Sequence, residues 1–275
     1  MPSVIALPFR TAGTAGVFAV VLFLAGACTD APPSTQETSQ VDQNDVVQLL
    51  KDGQAVFGVF SGDKTAVQGA KVVENRDTDF VFYSLEAGPF DIPTMEIYMQ
   101  AMVDAAGEGA HPIVLRIPPM RDDEELAQTH IVSGLDAGVD GLVFPHVETA
   151  DEAALAVRSM GDELWPENPE GRLINILLIE DKIGVQNARA IVGTPGVSVV
   201  IPGPGDLRRA YEGDDAAIEE AIQTVLRACQ EFDVPCGITA GADDIAERLA
   251  QGFRLIIVNG DDALPVGKMA AGRSD

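Results

Sequence analysis

The chain has 275 residues, 46% of them apolar, which is enough to fill one large core of α/β-barrel size. Its formal net charge is −25; a field of that sign keeps a protein soluble and argues against nucleic acid and anionic lipid surfaces as partners. Beyond residue 30 there is no apolar run of the roughly 18 residues needed to span a bilayer.

Residues 16–27 read GVFAVVLFLAGA, an apolar stretch of signal-peptide length and too short for a membrane span. Ala25-Gly26-Ala27 offers a small-x-small site for ordinary cleavage. Leu24-Ala25-Gly26-Ala27-Cys28 also resembles a bacterial lipobox, with its leucine one place further from Cys28 than usual. Residues 29–44 are rich in Pro, Ser, Thr, Gln and Asp, a composition that cannot bury a core and stays solvated. That spacer favours lipidation at Cys28, with an ordinary secreted terminus as the other reading. The expected organisation is a signal peptide over 1–27, a lipidated cysteine and tether over 28–44, and a folded domain over 45–275. On this reading the protein is exported, a bacterial lipoprotein on the periplasmic or outer side of the envelope. It touches the membrane only through its N-terminal lipid.

Strands are expected over 55–60, 80–83, 113–117, 141–145, 174–179, 197–201, 236–238 and 255–258, each a short β-branched run. Between them lie helical patterns, notably 95–106, 123–137, 151–160, 216–231 and 243–251, and Thr149 with Glu152 forms a capping box. Strands that each lead into helical sequence make a parallel sheet with helical crossovers. No GxGxxG follows the first strand, which removes the usual dinucleotide signal. At this length the expected fold is a (β/α)8 TIM barrel. Cys229 falls late in a helix and Cys236 at the start of a strand, a pairing that seldom has disulfide spacing, so both are expected to be buried free thiols.

In such a barrel, chemistry belongs at the C-terminal ends of the strands. Those positions hold Ser84 to Gly88, Arg116, Pro145-His146, Glu180 to Lys182, Pro202 to Leu207 and Asn259 to Asp261. Glu180 and Asp206 end adjacent strands, whose axes lie about 4.8 Å apart, so their carboxylates can converge on one cation. An all-carboxylate pair suits a hard ion, Mg²⁺ or Mn²⁺. Gly203-Pro204-Gly205 leaves bare backbone beside that pair, and the Gly205 amide could hold a substrate carboxylate. Arg116 is a permanent cation suited to a carboxylate or a developing enolate oxygen. Each residue also has a plainer reading. Asp206 could cap a helix, Arg116 could simply pair with Glu86 or Glu180, and His146 could be an ordinary loop histidine. His111 precedes a strand and His130 lies within a helix, both away from the catalytic face.

Three segments carry a family resemblance: LDAGVDGLVFPHVETADEA (135–153), LLIEDKIGVQNARAIVGTPGVSVVIPGPGDL (177–207) and FRLIIVNGDD (253–262). They resemble the HpcH/HpaI aldolase/citrate lyase family, metal-dependent pyruvate aldolases such as 4-hydroxy-2-oxoheptanedioate and 2-dehydro-3-deoxyglucarate aldolase. The resemblance implies that Glu180 and Asp206 hold a divalent metal and that Arg116 is the catalytic arginine. It also implies that Gly203, Pro204 and Gly205 frame the pyruvate site, with Glu86 supporting it. A small 2-oxo acid is the implied substrate, and a homo-oligomer the implied assembly.

The departures are specific. Where the family carries a histidine base and its orienting aspartate stand Ala87 and Ser84, and Leu178 replaces a pyruvate-contacting glutamine. The excursion before strand 5 is cut to residues 165–172, and the last helix is expected to be short or missing. Two functions therefore stand open: a divalent-metal-dependent carbon–carbon lyase acting on a 2-oxo acid, and a catalytically impaired barrel lipoprotein that binds a small oxo or hydroxy acid or a protein partner.

Overall fold

The structure, a computed structural model, describes residues 46–273. The signal peptide, Cys28 and the tether lie outside the described residues. In chain order the elements are α1 (Val46–Lys51), β1 (Val56–Phe60), α2 (Ala66–Val72), β2 (Phe80–Ser84), α3 (Ile92–Ala106), β3 (Ile113–Arg116), α4 (Glu124–Asp136), β4 (Gly141–Phe144) and α5 (Ala150–Ser159). They continue as β5 (Ile174–Ile179), α6 (Lys182–Gln186), α7 (Ala188–Val192), β6 (Val199–Pro202), α8 (Pro204–Ala210), α9 (Asp215–Phe232), β7 (Gly237–Ala240), α10 (Ile245–Gln251), β8 (Leu255–Val258) and α11 (Ala263–Ala270).

Eight parallel strands run in the order β6-β5-β4-β3-β2-β1-β8-β7. The two ends of that order meet at one bridge, Val200 opposite Cys236, where the Val200 N–H donates to Pro235 O at 3.1 Å. The sheet is thus a nearly closed barrel, as the strand–helix alternation predicts.

Each strand is buried on both faces, the condition that parallel sheets require. Phe80, Phe82, Val114, Val143, Ile176, Leu178, Val199, Ile201 and Ile257 fill the barrel interior. Their neighbours along the strands, such as Val81, Tyr83, Leu115 and Leu177, pack outward against the helices. The interior cluster also takes in Val46, Val47 and Leu50 of α1, so α1 seals the N-terminal mouth. That leaves the opposite mouth for chemistry.

Part of the acidity has a local purpose. Asp91, Asp123, Asp181 and Asp214 each accept a hydrogen bond from a first-turn amide of α3, α4, α6 and α9, where a carboxylate meets the positive end of the helix dipole. The Thr149–Glu152 capping box is present at α5.

The last helix exists and has eight residues. It docks on its own barrel through buried Leu264 and through Gly267, where a Cβ would stand 2.6 Å from the Phe57 ring. Beneath it lies Asp79, 2% exposed. Asp79 accepts from Lys268 Nζ at 2.9 Å, from both Arg273 Nη groups at 2.6 and 2.9 Å, and from Phe57 N at 2.8 Å. Cys229 and Cys236 are free and buried, as expected. Their sulfurs nonetheless lie 2.8 Å apart, so spacing is not what separates them. No helix among the described residues is long and apolar enough to cross a membrane.

Candidate active site

The side chains expected to carry chemistry gather at the C-terminal mouth. In-register pairing makes this possible: Ser84 sits opposite Arg116 across β2 and β3, and Ile179 opposite Pro202 across β5 and β6. Residues at the strand ends, and those just beyond, therefore rise to one level.

Arg116 is held in place from two sides. Its Nε donates to Ser84 Oγ at 2.9 Å, and its Nη2 lies 2.9 Å from Glu86 Oε2. The guanidinium also rests over the Phe82 ring, 5.4 Å from the centroid. Of the two partners considered for Arg116, the direct ion pair is with Glu86. Five N–H donors make up a guanidinium, and these two contacts use two of them.

Glu180 follows β5 and is 4% exposed. Its Oε2 accepts the His146 backbone N–H at 3.2 Å. Burial, with the negative charges of Asp206 and Glu86, pushes the Glu180 carboxyl up to about 7 from its usual 4.5. Arg116 and the His146 amide act in the opposite direction and do not cancel that rise. A buried carboxylate whose surroundings are short of positive charge is a mark of a functional position.

His146 was the least remarkable candidate in the sequence, yet its ring stands between the two glutamates. Nδ1 lies 3.7 Å from Glu180 Oε2 and Nε2 lies 3.9 Å from Glu86 Oε1. Its backbone is left-handed, with φ 54°, a conformation uncommon outside glycine. Glu86, His146 and Glu180 can each offer one donor atom within 4.8 Å of the others.

Gly203 explains how β6 can pass so close to Glu180. A Cβ there would stand 2.6 Å from Glu180 Oε1, so any larger residue would displace the carboxylate. A Cβ at Gly205 would meet nothing within 4 Å, which leaves its backbone open to an approaching ligand. Pro204 and Gly205 begin α8, and Asp206 lies in its first turn without capping it. Asp206 instead pairs with Arg209.

These residues line a cavity of about 310 Å³: Arg116, Glu180, Gly203, Pro204, Gly205 and Asp206 form its polar side. Phe60, Phe82, Leu178, Ile201 and Ile257 form its apolar floor, with Thr239 and Asn259 opposite. The phenylalanines and Thr239 were not singled out from the sequence, because an inward position on a barrel strand reads there as core. His111 and His130 lie away from the mouth, as expected. His111 lines a cavity at the strand starts, and His130 stacks on Phe90 with 3.8 Å between centroids.

The protein is similar to the hydroxypyruvate/pyruvate aldolase of Delftia acidovorans, 29% identical over 251 residues that cover 82% of this chain and 89% of that protein. It is also similar to the 2-keto-3-deoxy-L-rhamnonate aldolase of Escherichia coli, 25% identical with 80% and 88% covered. Among solved structures, an HpcH/HpaI aldolase/citrate lyase family protein from Burkholderia cenocepacia superposes with a TM-score of 0.68 at 24% identity, covering 83% of this chain and 97% of that one. The family model described as HpcH/HpaI aldolase/citrate lyase matches residues 63–264, which span β2 to β8 and the polar residues of the mouth from Glu86 to Asp206, and the chain belongs to that family.

Proposed function

We propose that the protein is a divalent-metal-dependent carbon–carbon lyase of the class II aldolase type, acting on a small 2-oxo acid such as pyruvate through its enolate. The carrying observation is buried Glu180 beside anchored Arg116, at the wall of one cavity at the catalytic mouth. The relatives named as pyruvate and 2-keto acid aldolases support the substrate class.

The donor set fits a divalent cation. Burial and the neighbouring carboxylates hold the Glu180 carboxyl up at about 7, a surplus of negative charge that a cation would offset, and Asp206 lines the same cavity. Glu180 and Asp206 would hold Mg²⁺ or Mn²⁺, and such an ion supplies a Lewis acid for the 2-oxo group. Arg116, fixed by Ser84 and Glu86, presents its remaining donors to a developing enolate oxygen. Gly203, Pro204 and Gly205 give the substrate carboxylate a side-chain-free approach. Glu86 is the carboxylate at this mouth available to move a proton.

Exposed Ala87 stands where the family has its histidine base. General acid–base help is worth about 10² to 10⁴ in rate, so turnover should be slow. The same position favours a second reading, a barrel that binds a small oxo acid without turning it over.

The two separate in D₂O. With Mn²⁺ or Mg²⁺ present, the methyl protons of pyruvate should exchange, and exchange should vanish in Glu180→Gln and slow about 10²- to 10³-fold in Arg116→Ala. Metal binding without exchange above buffer would leave only the binding reading. Export and tethering through Cys28 remain part of the proposal, on the strength of residues 16–28 and the polar spacer. The mass of the mature N-terminus should carry acyl chains, and Cys28→Ser should release the domain.

A further inference from the structure

Cys229 and Cys236 take no part in the catalytic mouth, yet the fold delivers both to one point. Cys229 stands in the last turn of α9, and Cys236 immediately precedes β7. Between them Asp233 is left-handed, with φ 55°, and the Val234 amide donates back to Cys229 O at 3.0 Å. The Cys236 carbonyl accepts the Arg254 amide at 2.7 Å. Both backbones are thus fixed by the scaffold, and the buried sulfurs meet at 2.8 Å. A disulfide bond is about 2.05 Å long, so a side-chain shift of under about 1 Å would close it.

The place is the narrowest seam of the barrel. The other neighbouring strands are in register over three or four residues. Among the described residues β6 and β7 meet at the single bridge of Val200 with Cys236. The two cysteines also line a cavity of about 550 Å³ beside α1, with Lys51, Trp165 and Arg254 on its walls. That cavity gives a small disulfide an approach to the pair.

We propose that Cys229 and Cys236 form a disulfide that staples this seam when the chain meets an oxidising compartment. The oxidant is a second disulfide, carried by a small molecule such as glutathione disulfide or by a thiol oxidoreductase. One cysteine loses its proton and attacks the donor disulfide; a mixed disulfide forms and a donor thiolate leaves. The other cysteine, deprotonated in turn, attacks the protein sulfur of the mixed disulfide and expels the second donor thiolate. Two electrons pass to the donor, and the two protons end on its thiols. Burial pushes the Cys236 thiol well above its ordinary range, so exchange is slow in the closed fold and faster when the seam opens. The assignment is independent of the lyase reading.

The test starts from the full chain purified in reductant. It is held to equilibrium in glutathione disulfide, with enough urea to let the seam open without unfolding the barrel, then alkylated and digested with trypsin. Both cysteines fall in one tryptic peptide, residues 228–248. The expected product is that peptide without alkyl groups and lighter than its dithiol by two hydrogens. Closing a loop of this length should also raise the melting temperature of the oxidised protein by about 5 °C or more over the reduced one. Cys229→Ala and Cys236→Ala should each abolish that difference. Two alkylated thiols at equilibrium would overturn the proposal, as would a stable glutathione adduct or a bond to Cys28 instead. A bond that forms without raising the melting temperature would overturn the staple. The comparison of oxidised with reduced native protein decides the matter even if a variant misfolds.

Discussion

The barrel buries one carboxylate near each mouth, and their surroundings differ. Asp79, before β2 on the sealed side, is 2% exposed and meets Lys268, Arg273 and the Phe57 amide. Glu180, after β5 on the open side, is 4% exposed and has two further carboxylates for neighbours against one arginine. Both sit at the end of a largely apolar, buried strand, so burial alone does not distinguish them. The difference lies in what arrives to meet them. The last helix and the residues just after it bring Lys268 and Arg273 to Asp79, tying α11 to β1 and β2. The loop after β2 brings Glu86 and the first turn of α8 brings Asp206 toward Glu180, which leaves it short of positive charge. A carboxylate of the first kind holds a fold together. One of the second kind is held in readiness for a cation or a proton.

The comparison is broken most directly at Asp79. Asp79→Asn leaves Lys268 and Arg273 facing an uncharged group, and stranding buried charge in this way costs about 3–5 kcal/mol. Urea unfolding should show that loss, with α11 the first element to lose amide protection. A change under about 1 kcal/mol would mean the cations find water instead and that the N-terminal side is not stapled as described. On the opposite mouth Arg116→Ala should leave the fold standing and slow pyruvate proton exchange about 10²- to 10³-fold, the usual effect of removing one preorganised donor. An unaltered exchange rate there would remove the arginine from the chemistry.

How much of this was legible in advance follows from what each feature depends on. The bounds of β5 and β8 match the expected 174–179 and 255–258, because each is a short Ile/Leu/Val-rich run, interrupted in β5 only by Asn175. β7 was expected at 236–238 and lies at Gly237–Ala240; glycine and alanine carry little strand signal, so pairing with β8 sets its position. The helices α1, α2, α6, α7, α8 and α11 have five to eight residues, too few turns for a 3.6-residue period to emerge. At the site, Glu180, Arg116, Glu86 and Asp206 could be named because strand ends in a barrel point to one mouth. His146 could not be weighed the same way. Its aim depends on one left-handed residue after β4, and Pro145-His146 alone does not encode that turn.

Glu180→Gln sharpens the contrast from the other side. Glu180 titrates at about 7 in the folded protein against 4.5 as the reference value. Below the lower value both states are protonated and the group contributes nothing. As pH rises from 4.5 through 7 the unfolded chain ionises first, so stability falls, and the penalty is complete above 7 at about 3 kcal/mol. In chelator, then, Glu180→Gln should match the native protein near pH 4.5 and exceed it in stability near pH 8. The glutamine can still accept the His146 amide, so the gain is one of charge and not of packing. A variant less stable at pH 8 would show that Glu180 is compensated like Asp79, and the distinction between the two mouths would collapse.

The smallest effect concerns His111, on the sealed side with Asp79. It is 4% exposed, with Nε2 3.1 Å from Asn75 O. Burial lowers its pKa from 6.5, and Arg76 adds to that, while the Asn75 carbonyl and Asp79 oppose it. Folding therefore favours the neutral ring. The stability this represents is intact above 6.5 and drains away as pH falls below it, because the unfolded chain then takes up a proton that the folded one resists. The opposing contacts keep the change smaller than that of Glu180, and its sign with pH is reversed. Subtracting the unfolding free energy of His111→Gln from that of the native protein removes the carboxylates common to both. The difference should be flat above pH 7 and should move in the variant's favour below 6.5. A difference that stays flat throughout would mean the ring is solvated in the folded state. The cavity of about 370 Å³ that it lines would then be wet, and the N-terminal mouth less tightly sealed by α1 than its apolar residues imply.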